Sequence, residues 1–176
     1  KGADARGRQL ATLSELSHQL FTSDKTGDLL KELVQRNDLN EEQRKNTELS
    51  LEDFTKQKKY SSDFVRRLTE QTNKAFHSWI EARKQNSFAV FEPELDKLVQ
   101  LKKQETEILG FTGHAYNALL DEFEKGCTVD LLDKTFDGLM PQLKNLLDEI
   151  TARPQVDDSF LNQHYPKQQQ WEWGMY

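Results

Sequence analysis

Four histidines, one cysteine and scattered carboxylates are the side chains that could do chemistry in this 176-residue chain. A zinc hydrolase needs two or three ligands held together and an open position for water. On one helix the economical arrangement is His-Glu-x-x-His, which does not occur. His18, His77, His114 and His164 stand singly. His77 and Glu81 are four apart, so they share a helix face, but they supply two ligands at most. The pair reads as a surface contact worth about a few tenths of a kcal/mol. Cys127 follows Gly126 just before a predicted helix N-terminus, a place that lowers a thiol pKa. His114 and Asp121 are near it in sequence, yet nothing in the sequence makes the three converge. The expected role is a small buried or loop cysteine. Asp121, Glu122 and Glu124, then Asp157 and Asp158, are plentiful acids. Acid–base work needs one carboxyl in an apolar pocket to separate the two pKa values, and neighbouring acids on a helix are expected to face water. There is no glycine-rich phosphate loop, no Gly-x-Ser-x-Gly and no Gly-x-Gly-x-x-Gly. The residues alone therefore predict no catalytic, cofactor-binding or metal site here.

The elements that would carry these side chains all read at helical period, joined by short loops, and no alternating strand pattern lasts. The fold class expected is all-α, a multi-helix array of antiparallel helices. Residues 3–22 place Leu10, Leu13, Leu16, Leu20 and Phe21 at three-to-four spacing. Ser23 or Asp24 caps a second helix with Leu29, Leu30, Leu33 and Val34 as its stripe. Asn40 caps a polar third helix to about Tyr60. Ser61 or Ser62 starts a long helix to about Asn86 along Phe64, Leu68, Ala75, Phe76, Trp79 and Ile80. Trp79 is expected in the core, with a truncation cost of about 3–5 kcal/mol. Pro93 suits the first turn of the next helix, and Gly110 is expected to end it as a left-handed cap. A short helix follows around Tyr116 to Phe123. Thr128 then caps a helix whose Leu132, Phe136, Leu139, Leu143, Leu146 and Ile150 alternate spacings of four and three, a heptad seam. Pro141 is expected to kink it. Arg153-Pro154 stops it, and Pro166 opens a last helix bearing Trp171, Trp173, Met175 and Tyr176.

Composition closes off other classes. Ten Phe, four Tyr and three Trp are too many for a disordered chain. No apolar run approaches the roughly 20 residues of a membrane-spanning helix. One cysteine excludes a disulfide framework. The net charge is −6, and residues 111–176 hold the whole excess with 5 basic against 11 acidic side chains. Nucleic-acid binding is not expected, because it needs clustered Lys and Arg. The single basic cluster, Lys56, Lys58, Lys59, Arg66 and Arg67, is broken by Asp63 and reads as a solvated helix face.

Three blocks in register resemble one family. The first is Gly2-Ala3-Asp4-Ala5-Arg6 with Gln9-Leu10-Ala11-Thr12-Leu13-Ser14 and His18-Gln19-Leu20-Phe21-Thr22. The second is Phe76-His77-Ser78-Trp79 with Ala82-Arg83 and Asn86-Ser87-Phe88, continuing through Phe91, Pro93 and Leu95 to Leu101-Lys102. The third is Leu109-Gly110, then residues 116–124 with Gly126 and Thr128. Together they resemble the carboxypeptidase Taq family of zinc metallocarboxypeptidases, over nearly the whole chain. The resemblance implies a cytoplasmic, mostly helical, commonly homodimeric enzyme that removes C-terminal residues from peptides. It also implies a zinc site, His-Glu-x-x-His with a downstream glutamate, in blocks that come after Tyr176 in the family's order. No position here matches a family ligand, so no catalytic or metal residue is carried over. The chain, which opens on Lys1 rather than Met, is expected to be an amino-terminal portion of roughly a third, contributing scaffold and one wall of the cleft.

On that reading residues 1–165 form the helical wall, and 166–176 begin a helix leading into the catalytic part. The alternatives are a self-sufficient interaction module whose Leu132–Ile150 seam binds a partner helix, and an enzyme with an unrecognised cysteine or carboxylate site.

Overall fold

A computed structural model describes residues 2–176. Among them lie eight α-helices, two 3₁₀ turns and no strand. The helices are α1 (Ala3–Phe21), α2 (Asp24–Val34), α3 (Glu41–Gln57), α4 (Ser62–Gln85), α5 (Glu92–Leu109), α6 (Asn117–Leu120), α7 (Val129–Thr151) and α8 (Lys167–Gly174). The expected all-α class is what the chain adopts. The 3₁₀ turn Ser159–Asn162 was not anticipated within the polar connector.

Side-chain caps open α2, α3 and α4. The Ser23 hydroxyl accepts from Thr26 N and opens α2. Asn40 and Gln43 form a reciprocal capping box at α3, and Ser61 accepts from Phe64 N at α4. Pro93 sits in the first turn of α5. Asn86 closes α4 in the left-handed conformation, φ 48° and ψ 42°. Gly110 differs from the expected cap. Its φ is 74° but its ψ is 153°, outside the left-handed helical basin, so it turns the chain away instead of continuing the coil. α7 runs unbroken through Pro141.

The chain divides into two compact units, one up to Thr128 and one from Val129. In the first, α1 packs along α4, α4 along α5, and α2 along α3. The α1–α4 contact uses small residues. Gly7 and Ala11 are the buried positions of α1, and a Cβ placed on Gly7 would lie 3.0 Å from Asn73 Oδ1. Such a face lets two helices approach closely, and it turns the Leu13, Leu16 and Leu20 stripe outward, where all three are exposed. On α4, Phe64, Gln71, Ala75 and Ala82 are the buried positions. Trp79, expected in the core, is instead 46% exposed and stacks on Phe76 with ring centroids 6.2 Å apart. The correction has a plain cause: α4 buries the row that contains Ala75 and Ala82, and Trp79 falls beside that row. The second unit holds α7, the 3₁₀ turn and α8, and apart from the half-buried Val129 and Leu132 the large apolar side chains of both helices are exposed.

Candidate functional site

In the first unit, helices α1, α3, α4 and α5 and the 121–125 turn enclose a cleft of about 850 Å³. Its floor is a buried carboxylate. Glu105 on α5 is 5% exposed, accepts from Tyr60 Oη at 2.9 Å, and pairs with Lys102 Nζ at 2.7 Å. A buried carboxylate is tolerable only when its oxygens are occupied in this way. The Tyr60 hydroxyl is pushed above its ordinary pKa, first by burial and then by its bond to Glu105. Around the rim, Lys56 reaches Asp121 at 3.4 Å and Lys125 reaches Glu52 at 2.8 Å. Asp121 is held below the usual carboxylate range, first by the Gly126 N–H and then by Lys56. Lys102 also lies 3.9 Å from Glu122, so the ion pairs of the cleft tie α3 and α5 to the 121–125 turn.

His18 is also in this wall. Its Nε2 lies 2.9 Å from the Gln57 carbonyl. A carbonyl only accepts, so that nitrogen carries the proton, and Nδ1 is left buried without a partner. The other singled-out residues stay apart. Glu81 is bound by Lys84 and Gln85, while His77 lies edge-on to Phe76. His114 Nδ1 accepts from Tyr116 N at 3.1 Å. Cys127 is buried. Asp157 accepts from Ser159 N. Among the described residues, no group of three or more His, Cys, Asp and Glu side chains lies close enough to hold a metal ion. The residues present do not fit a zinc centre.

Sequence reading missed the Tyr60–Glu105–Lys102 brace. Glu105 reads as one of many acids on a polar helix. Only the placing of the turn between α3 and α4, which carries Tyr60, against α5 brings the two together.

The described residues are thus all-helical, with a cleft crossed by ion pairs in the first unit, and the relatives of the chain say to what class it belongs. All of residues 1–176 match the family described as Carboxypeptidase Taq (M32) metallopeptidase. Carboxypeptidase 1 of Bacillus subtilis is 32% identical over 99% of this chain and 35% of its own length. A solved structure described as that of BsuCP superposes with a TM-score of 0.93 at 32% identity, covering 99% of this chain and 36% of that one. Another, described as that of CHT, is 46% identical with a TM-score of 0.78, again over 99% of this chain and 36% of that one. The chain belongs to the carboxypeptidase Taq (M32) family of metallopeptidases. It spans about a third of the length of the relatives it matches. No helix among the described residues is long and apolar enough to cross a membrane.

Proposed function

We propose that these residues are the amino-terminal helical portion of a zinc metallocarboxypeptidase that removes C-terminal residues from peptides. The observation that carries the reading is the family match over all 176 residues, set against coverage of only 35% of the Bacillus relative. The segment acts as scaffold and as one wall of the substrate cleft. Zinc is held by residues outside it, since no metal-binding group occurs among those described. Residues 1–165 form the wall, and 166–176 lead into the catalytic part. The same reading carries a cytoplasmic, homodimeric protein.

The test compares the whole gene product with the 176-residue chain. Zinc is measured by mass spectrometry after dialysis, and release of C-terminal amino acids is assayed on N-blocked dipeptides. The whole protein is expected to retain zinc and turn over, and the short chain to do neither. Stoichiometric zinc or turnover in the short chain would sink the proposal. The exposed apolar seam of α7 favours a second reading, a helical interaction module, which an inactive, metal-free gene product would support.

A further inference from the structure

The cleft of the first unit has a neighbour. A groove of about 970 Å³, walled by Val34, Leu51, Leu109, Phe111 and Ala118, runs to the buried Cys127. Glu52 and Lys56 on α3 and Asp121 on the 121–125 turn line the cleft and the groove alike. The boundary between the two spaces is therefore carried by charged side chains. Two ion pairs span it. Lys56 meets Asp121 at 3.4 Å, and Lys125 meets Glu52 at 2.8 Å. Glu52 and Lys56 are four apart on one face of α3, and Asp121 and Lys125 are four apart on the facing segment. The two rungs have opposite polarity. A slip by one rung would set Lys56 against Lys125 or Glu52 against Asp121, and like charges repel, so the ladder has one register. Asp121 is fixed, because its Oδ1 accepts from Gly126 N at 3.2 Å. The second rung is loose. Lys125 and Glu52 are each about half exposed, and exposed pairs are individually weak and screened by salt.

We propose that the pairs Lys56–Asp121 and Glu52–Lys125 are an ionic gate between the cleft and the apolar groove. Closed, the two rungs keep the solvent of the cleft away from the groove and from Cys127. Open, they leave one passage through the first unit, and Cys127 is reached from the cleft side. Opening needs only rotation of the long side chains of Glu52, Lys56 and Lys125, with no helix displaced. Salt favours the open form, because it weakens both rungs together. The apolar walls of the groove select what passes, namely small uncharged solutes. The gate uses residues of the first unit alone and is independent of the peptidase reading.

The reporter is Cys127 in the whole gene product, alkylated with the neutral reagent iodoacetamide, its peptide followed by mass spectrometry. In the unaltered protein, raising salt from about 0.01 M to about 1 M is expected to speed alkylation about threefold, after correction against a free model thiol. Glu52→Lys sets a lysine against Lys125, and Lys125→Glu sets a glutamate against Glu52. Each alone is expected to speed alkylation about fivefold. The two together restore attraction across the rung and return the rate to that of the parent, the signature of a direct pair. A parent rate blind to salt, single reversals no faster than the parent, or a double reversal no slower than the singles overturns the gate. Amide exchange at Gly126 and Cys127, whose N–H groups bond Asp121 and the Glu124 carbonyl, separates side-chain gating from unfolding of the turn. It is expected to be unchanged in the single reversals. Exchange that accelerates in step with alkylation overturns the gate in favour of local unfolding.

Discussion

The ring of Phe54 on α3 is seated against the backbone of Gly27 on α2. A Cβ placed on Gly27 would lie 2.5 Å from Phe54 Cζ and 3.0 Å from Cε1. Phe54 is buried and meets Phe21 edge-to-face at 6.2 Å. The ring tip is rigid and enclosed, so it has no free direction in which to yield.

That contact reverses an ordinary expectation. In an open helix interior, Gly→Ala stabilises by about 0.5–1 kcal/mol. Gly27→Ala forces the Phe54 ring aside in a packed region, at about 1–3 kcal/mol. The net change is expected to be destabilising. Urea unfolding of the variant beside the parent measures it, and a midpoint shifted upward would show that the ring moves freely.

A second expectation concerns the brace in the cleft. Tyr60→Phe removes the O–H that Glu105 accepts and leaves one oxygen of a buried carboxylate without it, at about 1–3 kcal/mol. The pH dependence follows from the raised pKa of the Tyr60 hydroxyl. A raised folded-state pKa means the phenol's contribution is complete below its unfolded value of about 10 and is lost as pH rises above it. Stability of the parent should fall on titration above about pH 10 more steeply than that of Tyr60→Phe. Parallel alkaline profiles by circular dichroism would show that Tyr60 is not a contributor.

Much of the helical frame was legible because caps are local. Ser23, Asn40, Ser61 and Pro93 each mark a helix start by their own chemistry, and the structure puts helices there. Which face each helix buries was less legible. Periodicity on α1 selects the leucines, but the fold buries Gly7 and Ala11, because the approach to α4 is set by what fits between two backbones and not by what is most apolar. The same cause displaced Trp79. Glu105 and Gln71 are buried polar positions with partners on other elements, Glu94 for Gln71 and Tyr60 for Glu105. No pattern within one helix announces a partner on another. The candidate site was legible only as an absence of catalytic motifs; the family resemblance, spread over three blocks, carried the rest.

Two aromatic truncations on α4 separate periodicity from packing. Phe64 is 1% exposed and stacks on Tyr60 at 5.5 Å, so Phe64→Ala should cost about 3–5 kcal/mol. Trp79→Ala should cost about 1–2 kcal/mol, because a half-exposed ring gives up partial burial and one aromatic contact. Chemical denaturation of both variants ranks them. A Trp79→Ala cost matching that of Phe64→Ala would restore the tryptophan to the core.

The last prediction concerns α8. Trp171 and Trp173 are two apart on the helix, so they point to different sides, and both are exposed, Trp173 at 85%. α8 follows Pro166 with no side-chain cap bond. A short helix apolar on more than one side is typical of a segment enclosed by a larger body. With three tryptophans in the chain, Trp→Phe pairs leave each one to report alone. Iodide should quench Trp171 and Trp173 strongly in the 176-residue chain, and Trp79 less, because one face of its indole is covered by Phe76. If residues 166–176 lead into the catalytic part, both tail tryptophans become shielded in the whole gene product while Trp171 and Trp173 stay open in the short chain. Equal quenching in the two proteins would separate the tail from the catalytic part and place the end of the helical unit elsewhere.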